Sequence, residues 1–265
     1  MNLDITLCNS FCSLDEQTLL NFPPFYTEQI NLNILHSQLE SWHRIIASNA
    51  TLIASKFLHI TDTQCMDAPF TNVAINRNIN RYFLVLIIEY LIEQKLALWL
   101  EPLSDLTMKN IFMTLVKDTN AMSTLYIKHM EFRDNLRTMD KNTEKLKDSN
   151  YYQIEQLKLT RNNYFKCQIK DTRAALYPIP IDKLCEELKE FAKLLCLYDN
   201  VETVYNLFYS PLGHKYKFHR LPDEHITYLV SILVHNKWAT IILPPSVKNN
   251  IEYNQNIKNL GIRFI

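Results

Sequence analysis

The sequence predicts a mainly helical α+β protein built as two tandem winged-helix domains, with a charged, partly helical insertion between them. Three observations carry this reading. Apolar patterns in the order helix, strand, helix, helix, hairpin occur near the start of the chain, and a similar order returns near its end. Between the two, Asp118 to Tyr177 is polar and charged, with few sustained apolar stripes. An apolar share of 47% and a charged share of 21% are those of a chain that can bury a sizeable core. The expected boundaries are a flexible leader over 1–21, a proline-aromatic segment over 22–31, a first winged helix over 32–117, the insertion over 118–177 and a second winged helix over 178–265.

In the first unit, Leu35, Leu39, Trp42 and Ile46 fall at i, i+4, i+7 and i+11, the spacing of an amphipathic helix. "KFLHITDT" reads as a short strand and "APFTNVAINRNI" as a turn or short helix. A long apolar helix is expected from about Asn78 to Lys95. "LALWLEP" and "NIFMTLV" then alternate as the strands of a closing hairpin. In the insertion, Lys128 to Arg173 holds 11 Lys or Arg and 7 Asp or Glu, and its residue choice is that of a solvated helix. In the second unit, "PIPIDKLCEELKEFAKLLCLY" starts with prolines ahead of an N-cap-like Asp182 and places Leu184, Leu188, Phe191 and Leu195 on one face. "VETVYNLFY" reads as a strand and "LPDEHITYLVSILVHNK" as a helix. "WATIIL" and "GIRFI" are expected to close the unit as strands around a long wing, Pro244 to Asn259.

Composition excludes several functions. Lys plus Arg equals Asp plus Glu, 28 against 28, which gives no global field to attract DNA, RNA or an anionic membrane. Two glycines in 265 residues cannot spell a phosphate-binding loop or a nucleophile elbow. The six cysteines are scattered without a CxxC pair, and the start "MNLDITLCNSFCSLDE" has neither a basic region nor a long apolar run, so the chain is expected to be cytoplasmic with reduced thiols. His214 and His219 lack a nearby acid, and no nucleophile has a base in register with it. No catalytic residue, metal or cofactor is expected.

A winged helix also occurs in DNA-binding proteins, and that is the alternative function. Against it, the last long helix opens with Asp223 and Glu224, which suit the helix dipole and repel phosphate. The helical body "YFLVLIIEYLI" has no polar face and must be covered on both sides, with Tyr82, Val85 and Glu89 as candidates to meet another domain or chain. "FPPFY", Phe22 to Tyr26, is a different kind of feature. Two prolines remove two backbone donors and favour an extended polyproline II rod. Phe25 and Tyr26 would each bring about 150–250 Å² of surface either to a partner groove or, with the segment packed back, to the chain's own first domain.

Phe22-Pro23-Pro24-Phe25-Tyr26-Thr27 followed by Gln29, Asn31, Gln38-Leu39 and Trp42 resembles the opening of the vacuolar protein-sorting-associated protein 25 family, the small winged-helix subunits of the endosomal complex ESCRT-II. "PFTNVAINRNI", "LALWLE", "LKEFAKLL", "VYNLFY", "FHRLPDE" and "GIRF" resemble later parts of the same family. The resemblance implies two tandem winged helices without enzymatic activity. It implies that Phe22, Pro23, Pro24, Phe25 and Tyr26, helped by Arg77, dock on the two larger ESCRT-II subunits, with two copies of the chain in each complex. It further implies that the second winged helix recruits an ESCRT-III subunit resembling vacuolar protein-sorting-associated protein 20, at endosomal membranes, for sorting of ubiquitinated cargo into multivesicular bodies. The face around Asp223, Glu224, Thr227 and Tyr228 is the candidate for that contact. The insertion is foreign to the family pattern, and its removal is expected to leave docking on the larger subunits intact.

Overall fold

The computed structural model describes residues 14–101, 121–137, 150–167, 169, 171–198, 200–243 and 257–265. Among them the chain forms two compact units. The first joins residues up to Leu98 with Arg133–Leu176; the second joins Trp99–Phe132 with Tyr177–Ile265.

The first unit begins in the stretch expected to be a flexible leader. Asp15 caps a short helix α1, Glu16–Leu20, by accepting from the Thr18 amide at 2.9 Å and the Thr18 hydroxyl at 2.6 Å, and Leu19 is fully buried. A single 3₁₀ turn, Pro23–Tyr26, leads to α2, Leu32–Ser48, whose cap Asn31 accepts from the amides of Asn33 and Ile34. Leu35, Leu39, Trp42 and Ile46 are all buried, as their spacing predicts. Then follow α3 (Ala50–Ser55), β1 (Phe57–His59), α4 (Asp62–Met66), and a small hairpin of β2 (Thr71–Asn72) and β3 (Arg77–Asn78). The apolar helix α5 spans Arg81–Glu93, capped by Asn80, and β4 spans Ala97–Trp99.

The sheet of this unit closes with an unexpected strand. "NIFMTLV" lies outside the described residues. The partner of β1 is β5, Arg173–Leu176, which the sequence reading placed in the insertion; the strand order is β1-β5-β4. β1 and β5 are antiparallel, with Phe57 opposite Ala175 and His59 opposite Arg173. Ala174 and Ala175 are fully buried, and small residues of this kind carry little strand signal.

Two helices lie between β4 and β5: α6 (Ala121–Arg137) and α7 (Asn150–Lys166). The expectation of a solvated helical insertion fails for α7. It packs against α2 and α5, with Ile154, Leu157, Thr160, Asn163 and Tyr164 buried. Tyr82 of α5 lies 4.3 Å from Phe165, ring centroid to ring centroid, and Val85 and Glu89 are buried. The second face of the apolar helix is therefore covered within its own unit. Arg161 closes the arrangement by binding the Glu28 carboxylate at 2.5 Å.

The second unit has α8 (Ile181–Leu194), β6 (Val201–Thr203), α9 (Val204–Tyr209), α10 (Asp223–His235), β7 (Ala239–Ile242) and β8 (Gly261–Phe264). The sheet order is β6-β8-β7, all antiparallel. Residues 244–256, most of the expected wing, lie outside the described residues. The cap of α8 is Pro180, with Asp182 in the first turn. "VETVYNLFY" divides into a strand and a helix, because the Thr203 hydroxyl accepts from the Asn206 amide at 3.0 Å and starts α9, whose Val204, Leu207 and Phe208 are buried at i, i+3 and i+4.

Three helices end alike in a chain almost without glycine. After α5, α8 and α10 the residues Lys95, Cys196 and Lys237 adopt φ of 59°, 52° and 58°. In each case the amide of that residue bonds back three residues and the next amide bonds to the carbonyl one residue earlier, five residues back: Lys95 to Ile92 and Leu96 to Leu91, Cys196 to Lys193 and Leu197 to Ala192, Lys237 to Val234 and Trp238 to Leu233. These are Schellman closures, which glycine usually occupies because a Cβ is unfavourable there.

Candidate docking surface

The proline-aromatic segment is folded onto its own unit, the second of the two alternatives its sequence allowed, and is not an extended, accessible rod. Proline fixes φ near −65° but leaves ψ free, and that φ serves a 3₁₀ turn as well as polyproline II. Burial decides between them. Phe25 is fully buried and stacks on Trp42 at 4.6 Å, while Tyr26 is 3% exposed and meets Trp42 edge-on at 5.9 Å. Trp42 in turn stacks on Phe70 at 5.7 Å. The Tyr26 hydroxyl donates to the Leu20 carbonyl at 3.0 Å, and burial pushes its phenol above the usual tyrosine range.

The polar residues that follow at fixed spacing hold the turn. Buried Gln38 donates from Nε2 to the carbonyls of Phe25 at 2.8 Å and Thr27 at 2.9 Å. Gln29 donates to the carbonyls of Pro24 at 2.8 Å and Thr27 at 2.9 Å. Gln29, Asn31, Gln38 and Trp42 are thus a folding instruction for the turn: two clamps, a helix cap and a stacking plate.

What remains outward is Phe22, 38% exposed, with Pro23 and Pro24 exposed beside it. β3 packs against the Pro23–Tyr26 turn, which places Arg77, exposed on that strand, in the same region of the surface. Asn72, opposite Arg77 in the hairpin, fixes this by donating to the Leu20 carbonyl at 2.8 Å and to Asn21 Oδ1 at 3.1 Å. Val73, 86% exposed, follows on the same hairpin. Sequence reasoning passed over Asn72 and Val73, because a two-residue strand and a single 3₁₀ turn have no periodicity to find.

The second predicted group is differently placed. Thr227 and Tyr228 of α10 are buried at 2% and 5% exposure, so they do not present the face expected of them. The Thr227 hydroxyl donates to the Asp223 carbonyl at 2.6 Å. The Tyr228 hydroxyl lies 3.2 Å from His129 Nδ1, and the Tyr126 and His129 rings of α6 stand 6.2 and 4.9 Å from the Tyr228 ring. Part of the insertion therefore packs over this stretch of α10. Asp223 and Glu224 stay half-buried, and Lys258 Nζ sits 3.0 Å from Asp223 Oδ1, a contact that raises the lysine pKa.

Among the described residues no group of three or more His, Cys, Asp or Glu is arranged to hold a metal ion, and no helix is long and apolar enough to cross a membrane.

No curated protein matches the sequence. Among solved structures, the chain is similar in fold to the VPS25 subunit of the endosomal trafficking complex ESCRT-II, with a TM-score of 0.52, 16% identity, and coverage of 93% of this chain and 97% of that one. It is similar to a chain of the endosomal complex ESCRT-II (VPS22/VPS25/VPS36), with a TM-score of 0.51, 14% identity and the same coverages. The sequence pattern described as ESCRT-II complex subunit matches residues 19–222, from the buried leucine of α1 to the residue before α10. With tandem winged helices and a match over most of its length, the chain belongs to the ESCRT-II complex subunit family.

Proposed function

We propose that this chain is a non-enzymatic scaffold that docks on two larger ESCRT-II subunits through the surface of Phe22, Pro23, Pro24 and Arg77, with Phe25 and Tyr26 holding that surface from beneath. The observation that carries the reading is the exposed Phe22-Pro23-Pro24 ridge on a turn clamped by Gln29 and Gln38, with a cation from β3 in the same region. A pre-folded turn loses little conformational freedom on binding, which favours affinity. An exposed phenylalanine beside two prolines fits an apolar groove, and Arg77 would pair with a carboxylate at its rim.

By the same family reading, two copies enter each complex and the second winged helix recruits an ESCRT-III subunit resembling vacuolar protein-sorting-associated protein 20. The complex would then sort ubiquitinated cargo into multivesicular bodies at the endosomal membrane. Of the residues proposed for the ESCRT-III contact, Asp223 and Glu224 are half-exposed and Thr227 and Tyr228 are buried, so the acidic pair carries that proposal.

Co-expression with the two larger subunits tests the docking surface. Phe22→Ser combined with Arg77→Glu is expected to abolish co-purification while the melting temperature of the isolated chain stays unchanged, since both side chains are exposed. Intact co-purification of the double variant overturns the assignment.

A further inference from the structure

The second unit carries an exposed apolar feature that neither of the surfaces above includes. On α9 the Tyr205 and Tyr209 rings stack at 5.1 Å with an interplanar angle of 7°, and Tyr205 is 53% exposed. The next turn, Pro211–Gly213, packs on α9 and holds Leu212 at 63% exposure. β6, immediately before α9, exposes Val201 at 54%. Beneath them Val204, Leu207 and Phe208 are buried, so these outward side chains are not needed to fill the core.

The rim is mostly cationic, in a chain whose net charge is zero. Arg263 stands directly across from Val201 in the β6–β8 ladder. Lys258 Nζ lies 4.7 Å from the centre of the Tyr209 ring. Lys215, Lys217 and Arg220 follow Leu212 and are exposed. Among the described residues three carboxylates touch this rim, with Glu187 accepting from the Lys217 amide at 3.0 Å. Asp223 is paired with Lys258, and Glu202 accepts from the Thr203 amide at 2.7 Å and from Asn206 at 2.9 Å.

We propose that the Tyr205, Tyr209 and Leu212 ridge is a docking surface for an acidic amphipathic helix of a partner protein. Tyrosines bring large, stiff contact area at low entropic cost and are enriched at protein interfaces. Leu212, beyond the end of α9, extends the apolar strip so that residues at i, i+3 or i+4, and i+7 of a facing helix can be received. The cationic rim selects carboxylates along the flanks of that helix and rejects a basic one.

The test uses the full chain and two designed helical peptides that share a leucine face, one with glutamate and one with lysine at the remaining positions. Anisotropy titration is expected to show the glutamate peptide binding at least about tenfold more tightly than the lysine peptide, with a loss of about tenfold or more in Tyr205→Ser/Leu212→Ser. Lys215→Glu/Arg263→Glu should reverse the preference. Circular dichroism melts of both variants are expected to match the unsubstituted chain. Equal binding of the two peptides, or binding indifferent to the substitutions, overturns the proposal. So does ridge-dependent binding to phosphatidylserine vesicles without any peptide preference, which would assign the surface to a membrane.

Discussion

At Phe25 the ring stacks on Trp42 at 4.6 Å with no solvent exposure, and its carbonyl is held by Gln38. Truncation there opens a cavity in the first core. Phe25→Ala is expected to cost about 3–5 kcal/mol, visible as a lower midpoint in denaturant unfolding of the isolated chain. A midpoint unchanged within error would show that the turn is not integrated with the core. The same residue marks a limit of sequence reading. Pro-Pro dictates φ and the absence of donors, both of which hold, yet whether the aromatics turn inward depends on Trp42, 17 positions later by residue number, and on Phe70. Lys237 offers a second residue-scale prediction. It is exposed and left-handed at φ 58°, where a Cβ costs on the order of 1 kcal/mol. Lys237→Gly is expected to raise the melting temperature by about 2–4 °C, partly offset by the greater freedom of the unfolded chain.

Among the elements, α2, α5, α8 and α10 were legible because their apolar residues recur at helical spacing and fill a core. α7 was not legible as a core helix. Its buried face reads Ile154, Leu157, Thr160, Asn163 and Tyr164, and the two polar members conceal the stripe. They are satisfied by backbone: Thr160 donates to the Gln156 carbonyl at 2.8 Å, and Asn163 to the Leu136 carbonyl at 2.7 Å. α5, in contrast, announced that something must cover it, without naming what. Leu157→Asp is expected to destabilise the first unit by several kcal/mol through an unpaired buried charge, whereas exposed Glu155→Ala should change little. Thermal unfolding that does not separate the two variants would refute the packing role of α7. The short strands β2 and β3 escaped sequence reading altogether, and they are the elements that bring Arg77 to the proline turn.

On the scale of the whole molecule, both winged helices were recoverable from the repeated element order, but the site of the additional helices was not. Sequence places them after the first domain. The ladder places them before its last strand, since β5 inserts between β1 and β4. This reverses the expectation that Asp118–Tyr177 can be removed harmlessly. That deletion takes away β5, uncovers the faces of α2 and α5 under α7, and removes the Arg161 partner of Glu28. It is expected to abolish the cooperative melt of the first unit, and with it co-purification with the larger subunits. Retention of both would mean that the first unit closes without its middle strand.

The pairing of Phe57 with Ala175 also sets an order in time. A ribosome that has delivered β1 must translate a further 118 residues, from 57 to 175, before the strand that completes its sheet has been made. At about 5–20 residues per second this is a wait on the order of ten seconds. Through that interval β1 has an unfilled edge beside it, which backbone pairing closes only once Arg173–Leu176 have emerged.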